Sequence, residues 1–154
     1  MNLEIETGLE GIWAGISKFE GLCTNFAKKY IGGAYWETEL LYAIKFYAPI
    51  TQKQLSKYYE IPKQTVNKFI KQLETGNIIS ISVSSEDKRR KEIRFTELGE
   101  KYAEKYLKPT FEFNEMLVNK VGIKTVRQIS DGLNKLVAAL EEIEANREKE
   151  ERSK

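Results

Sequence analysis

The hydrophobic period changes abruptly at Gly76, and that switch restricts the possible folds more than any other feature of the chain. In the stretch KQTVNKFIKQLETG, Val66, Phe69, Ile70 and Leu73 recur at helical spacing, which predicts a helix with one apolar face. Immediately after the glycine, in NIISISVSS, Ile79, Ile81 and Val83 alternate with Ser80, Ser82 and Ser84. A period of two is a strand, with the aliphatic residues expected inward and the serines outward. Gly76 is expected to stop the helix by taking the left-handed conformation of a C-terminal cap. A helix delivered directly into a strand leaves few architectures.

Two neighbouring segments narrow them further. Beyond the strand, Ile93 and Phe95 alternate with Glu92, Arg94 and Thr96, so a second strand closes a β-hairpin whose tip holds four consecutive basic residues, Lys88 to Lys91. Upstream, Thr51 is a good helix N-cap, and Leu55, Tyr58 and Tyr59 follow at helical spacing. Pro62 then suits the first turn of the next helix, where its missing N–H has no partner to lose. Two short helices joined by a tight turn form a helix-turn-helix pattern, and the attached hairpin makes it a winged helix. The fold class expected is therefore mainly α with a small β-hairpin.

The face of the second helix opposite its apolar stripe is centred on Gln64, Lys68 and Lys71, with Asn67 beside them and no acid among the four. Overall net charge is only +2, yet residues 51 to 94 hold ten Lys/Arg against five Asp/Glu. The positive potential is thus concentrated on the helix-turn-helix and wing, where a polyanion can dock. Such a helix suits the major groove of DNA, and wing arginines suit the neighbouring minor groove or its phosphates.

Other functions are excluded by what the sequence lacks. There is no histidine and a single cysteine, so an internal disulfide, the usual zinc sites and His-based nucleophilic triads are all ruled out. Neither a metal nor another cofactor is expected, and no glycine-rich phosphate loop or grouped carboxylates suggest an enzyme. No apolar run is long enough to span a bilayer, and the start, MNLEIETGLEG, is acidic where a signal peptide is basic, which leads to the expectation of a cytoplasmic protein with no membrane partner.

The wing carries a family resemblance. Asp87-Lys88-Arg89, followed by Ile93-Arg94-Phe95-Thr96 and Glu97-Leu98-Gly99, resembles the wing signature of the MarR family (multiple antibiotic resistance regulators): Asp-x-Arg, a strand, then apolar-Thr-x-x-Gly. PKQTVNKFIKQLETGNII, with Leu73, Glu74 and Gly76, is similar to that family's recognition helix and its exit, and the likeness extends over roughly residues 36 to 104. The resemblance implies a winged helix-turn-helix transcriptional regulator in which Arg89 enters the minor groove and Asp87 braces the wing. One departure is Lys68, where an arginine is common; lysine lacks the planar fork that grips guanine.

The ends of the chain point to a partner. Leu9, Ile12, Ile16, Phe19, Cys23, Phe26 and Tyr30 follow at alternating steps of three and four, and so do Val126, Ile129, Leu133, Leu136, Leu140 and Ile143. That regularity describes a coiled-coil-type seam. The expectation is a homodimer formed by N- and C-terminal dimerisation helices, as in MarR-type proteins, with two wings addressing a palindromic operator. The chain divides accordingly into an N-terminal dimerisation helix (1–33, closed by a cap and turn at Gly32-Gly33), a DNA-binding lobe (34–99) and C-terminal dimerisation helices (100–154). The last fourteen residues, ten of them charged, are expected to fray into solvent past Ile143.

The residues assigned to double-stranded DNA are Lys63, Gln64, Thr65, Asn67, Lys68 and Lys71 on the second helix, Gln52 and Lys53 on the first, and Lys88, Arg89 and Arg90 on the wing. Some relatives sense peroxide through a first-helix cysteine, which makes Cys23 a redox candidate; a buried seam position is the competing reading. The resemblance also implies a small aromatic or anionic effector, for which Trp13, Tyr35, Trp36, Tyr42, Phe46 and Tyr47 are candidate lining residues, although aromatics at these spacings also serve as plain core. A protein-interaction module is a further alternative, but it calls for exposed apolar or acidic residues on the second helix, and Gln64, Asn67, Lys68 and Lys71 are neither.

Overall fold

A computed structural model describes residues 2–152. Helix α1 (Leu3–Phe26) runs into a π-helical turn (Ala27–Ile31) and is followed by α2 (Tyr35–Tyr47), α3 (Gln52–Tyr58) and α4 (Lys63–Thr75). A hairpin of β1 (Ile79–Val83) and β2 (Lys91–Phe95) precedes two long helices, α5 (Glu97–Val121) and α6 (Ile123–Arg152). This is the winged helix-turn-helix that the periodicity predicts.

The core is built where α2, α3, α4, the hairpin and the first turns of α5 meet. Leu40, Leu41, Ile44, Leu55, Val66, Ile70, Ile93 and Leu107 are all fully buried there. Burial of each such side chain contributes roughly 1.5–3 kcal/mol, and this fixes which face of α4 points inward. The turn between α3 and α4 is closed by the Ser56 hydroxyl donating to the Ile61 carbonyl (2.7 Å) and by the Ile61 N–H donating to the Ser56 carbonyl (3.0 Å). Thr51 caps α3 in a capping box with Gln54, as expected. Pro62 lies one residue before α4, where its carbonyl accepts from the N–H groups of Thr65 and Val66. Tyr58 departs from the predicted apolar face: Leu55 and Tyr59 turn inward, whereas Tyr58 is exposed and shares a hydrogen bond with the Tyr47 hydroxyl.

The exit from α4 corrects the expectation for Gly76. Its φ is −78°, and the left-handed residue is Asn77 at +55°. The Ile78 N–H donates to the Leu73 carbonyl (2.8 Å) and the Asn77 N–H to the Glu74 carbonyl (2.9 Å), which together make a Schellman motif. Asparagine tolerates the left-handed region better than other side chains with a Cβ, so the cap falls one residue later than the glycine suggests.

The hairpin pairs Ile79 with Phe95, Ile81 with Ile93 and Val83 with Lys91. The inward set does not extend to the tip: Val83 is 57% exposed and Ser84 only 4% exposed. By Val83 the ribbon has run past the core, and Ser84 is buried instead because it closes the tip, its N–H donating to the Arg90 carbonyl and its hydroxyl accepting from the Glu86 N–H. Ile50 adds a single bridge to β2, exchanging both backbone bonds with Ile93.

Thr96 and Gly99 acquire a structural reason. The Thr96 hydroxyl accepts from the Gly99 N–H (3.0 Å) and donates to the Asn77 carbonyl (2.7 Å), so it caps α5 while holding the α4 exit. A Cβ on Gly99 would come within 1.8 Å of the Ile78 carbonyl oxygen. The Thr-x-x-Gly spacing is thus the joint between wing and α5.

The chain divides into two compact units, Met1–Phe111 and Glu112–Lys154, with the division inside α5. The first turns of α5 belong to the winged-helix core through Ala103 and Leu107. Pro109, just before the division, cannot donate the helical bond to Lys105.

In α1 the seam turns out different at its end: Tyr30 lies in the π-helical turn and is exposed, while Ala27 is buried in its place. Gly32, at φ +78°, closes that turn by donating to the Ala27 carbonyl, the cap foreseen for the glycine pair. Helix α6 continues to Arg152, so the chain does not fray between Ile143 and Arg152; the last two residues of the expected tail, 153 and 154, lie outside the described residues. Glutamate, lysine, arginine and alanine are strong helix formers, and the Glu148–Arg152 pair spans one turn. Among the described residues no helix is long and apolar enough to cross a membrane.

Candidate nucleic-acid interface

Helix α4 buries Val66, Phe69, Ile70 and Leu73, and the same rotation carries Lys63, Gln64, Asn67, Lys68 and Lys71 to the outside. The exposed set therefore follows from the apolar one. Gln64, Asn67, Lys68 and Lys71 stand at i, i+3, i+4 and i+7 and form a single stripe.

A groove of about 940 Å³ runs between α3, α4 and the hairpin. Its floor is Ile70, Ile81 and Ile93, and its rim brings together Gln52, Lys53, Asn67, Lys71, Arg89 and Arg90 from three elements. A second depression of about 470 Å³ joins Gln52, Lys53, Lys63, Gln64 and Asn67 across the two helices. Eight of the eleven residues assigned to DNA thus line one of these two depressions. Lys68 lies exposed on the same helix and Lys88 exposed at the wing tip, but neither lines a depression. Thr65 is half-buried at the start of α4.

The wing backbone is held by local bonds. The Arg89 N–H donates to the Asp87 carboxylate (2.9 Å), and the Arg90 N–H donates to the Asp87 carbonyl (2.8 Å). A turn fixed in this way projects both arginine side chains without ordering them by contact. Two cations beyond the assigned residues, Lys57 and Lys91, also line the larger groove, and Glu74 joins them as its carboxylate. The signal for Lys57 was its spacing of four from Lys53, and that for Glu74 its spacing of three from Lys71.

Cys23 is buried, 6% exposed, and burial pushes its thiol pKa up, against a hydrogen bond from Tyr35 that lowers it; Glu39 and Glu20 raise it further. A reactive thiol needs the opposite surroundings, exposure and nearby positive charge. The six aromatics considered for an effector do not line one cavity within the chain. Tyr35 and Trp36 border a cleft of about 650 Å³ with Tyr59, Glu20, Glu39 and Lys28. Tyr42 and Phe46 cluster with Phe111, Tyr47 packs on Tyr58, and Trp13 is exposed on α1. Burial raises the Glu39 pKa, opposed by a Tyr35 hydrogen bond and reinforced by Glu20. Among the described residues no group of three or more His, Cys, Asp or Glu is placed to hold a metal ion.

No family model and no curated protein matches the sequence. Solved structures do match. The chain is similar to NMB1585, a MarR family regulator from Neisseria meningitidis, with a TM-score of 0.78 and 22% identity, covering 95% of this chain and 99% of that one. It is similar to the transcriptional regulator BldR from Sulfolobus solfataricus, with a TM-score of 0.68 and 17% identity, covering 90% and 99%. A third similar structure is the complex of S. aureus MepR with DNA, with a TM-score of 0.64 and 20% identity, covering 84% and 94%. The chain has the fold of a MarR family regulator, a winged helix-turn-helix with long N- and C-terminal helices.

Proposed function

We propose that this protein is a cytoplasmic transcriptional repressor of the MarR type that binds a pseudo-palindromic DNA operator as a homodimer. The observation that carries the reading is the groove in which Gln52, Lys53, Asn67, Lys71, Arg89 and Arg90 converge from α3, α4 and the wing. Three separate elements presenting cations and amides to one channel suit a duplex, whose phosphates and base edges lie on different surfaces of one rod. The fold shared with MepR, solved on DNA, supports the same reading.

In this reading Gln64 and Asn67 face base edges, with Lys63, Thr65, Lys68 and Lys71 on bases or adjacent phosphates. Gln52 and Lys53 hold the backbone from α3. Lys88, Arg89 and Arg90 serve the minor groove, with Asp87 bracing the wing. The dimer is supported by the terminal helices: α6 buries none of its own residues, and Ile12, Ile16 and Phe19 of α1 are exposed. A small aromatic effector would sit in the cleft beside Tyr35 and Trp36, where two carboxylates against one lysine do not favour an anion.

The test is fluorescence anisotropy with duplexes from the protein's own upstream region at two salt concentrations. Binding should be specific for one fragment and weakened by salt. Arg89→Ala should cost about 1–3 kcal/mol, while Lys53→Ala should weaken all sequences alike and reduce the salt slope by about 1. Equal losses on every duplex from both changes would contradict this division of roles.

A further inference from the structure

The reading stripe of α4 carries two carboxamides and no guanidinium. Gln64 and Asn67 occupy its N-terminal half, one turn apart, and both line the depression shared with α3. In a helix-turn-helix it is the N-terminal residues of the second helix that meet base edges. Arg89 is the first arginine in the chain, so neither α3 nor α4 holds one. Arginine, which with lysine is the usual guanine reader, is therefore absent from the helix placed to read bases, and within residues 34–99 it occurs only on the hairpin.

We infer, on the basis of the DNA-binding reading above, that Gln64 and Asn67 make the protein a reader of adenine, each amide pairing with the N6 and N7 edge of an adenine in the major groove. A carboxamide offers a donor beside an acceptor, the complement of adenine's N7 acceptor and N6 donor. Guanine presents two acceptors, N7 and O6, and leaves the amide oxygen facing an acceptor. Lys68 and Lys71 offer donors only and sit further along the stripe, where a point charge on a flexible stem serves phosphates.

The wing acts in the same direction. Its turn is fixed by the bonds of Asp87 and Ser84 to the Arg89 and Arg90 backbone, so two arginines project beside the groove that contains Asn67. Arginine is attracted to the narrow minor groove of A·T tracts. A half-site of this protein should therefore be A·T-rich twice, under α4 and under the wing, about half a helical turn apart at roughly 5 base pairs.

The experiment uses the full-length protein and an in vitro selection from random duplexes, followed by anisotropy on the winning sequence. Adenines under α4 are then replaced singly by 7-deaza-adenine, which keeps the base pair and removes only N7. The inference expects adenine at two steps of each selected half-site and a loss of roughly 5- to 150-fold for replacing either A·T pair by G·C. Removal of N7 should give a smaller loss that disappears in Asn67→Ala at one step and in Gln64→Ala at the other. Both side chains are exposed, so these variants keep the fold. Tight, selective binding to half-sites with G·C at those steps, or indifference to N7, overturns the inference while leaving DNA binding intact. Failure to bind any duplex at low salt overturns the DNA-binding reading and this inference with it.

Discussion

The winged-helix lobe and the terminal helices use their apolar residues in opposite ways. In the lobe, Leu40, Ile44, Leu55, Ile70 and Leu107 find partners inside the chain and are fully buried. In α1, Ile12, Ile16 and Phe19 remain exposed, and in α6 so do Ile129, Leu140 and Ile143. The lobe is complete by itself, whereas the terminal helices carry a seam regular enough to pack that their own units cover only in part, at Cys23 and Phe26 in α1 and at Val126, Leu133 and Leu136 in α6. The two regions should therefore fail differently when perturbed, one by unfolding and the other by dissociation.

The largest effect is expected at the joint between wing and α5. Gly99→Ala places a Cβ against the Ile78 carbonyl, and because backbone cannot yield cheaply the loss should reach about 3 kcal/mol in urea unfolding. An unchanged midpoint would mean the joint is looser than the contact implies. Next comes the seam. Phe19→Asp should weaken the dimer by about 30-fold or more in sedimentation equilibrium, with helical circular dichroism preserved. A variant that unfolds as it dissociates would erase the contrast between the two regions.

Smaller effects refine the comparison. Asn77→Ala should cost about 1 kcal/mol and Asn77→Gly should be neutral or stabilising, since only the left-handed backbone is at stake. Last, Cys23 should alkylate slowly at neutral pH and quickly after denaturation. Its folded pKa lies above the unfolded value, so the stability it contributes is present at neutral pH and is lost as pH rises through the folded value. Rapid alkylation of the native protein would reopen a redox role.

The lobe was the more legible region because its signals are local. The 3.6-residue period of Val66, Phe69, Ile70 and Leu73, the two-residue period after it, and the Thr51 cap each set a backbone that tertiary packing then kept. Errors fell where neighbours outweighed the local signal. Asn77 took the left-handed cap because Gly76 still had helical partners, and Ser84 was buried by the tip it closes. The continuation of α6 through Arg152 is not legible from charge density, which disordered tails and solvated helices share, although those residues favour helix. On α4, the apolar period made the exposure of Gln64, Asn67 and Lys71 legible from the sequence. The convergence of Lys57 and Lys91 on the same groove was not, since it depends on how the hairpin lies beside α3.

The most direct test of a dimer on DNA is sedimentation velocity of the protein alone and with a fluorescent palindromic duplex, at low salt and micromolar concentration. A dimer without DNA and two chains per duplex with it are expected, and raised salt should release the duplex while leaving the dimer intact. A monomer that binds one chain per duplex, or a dimer that ignores the duplex at low salt, would contradict it.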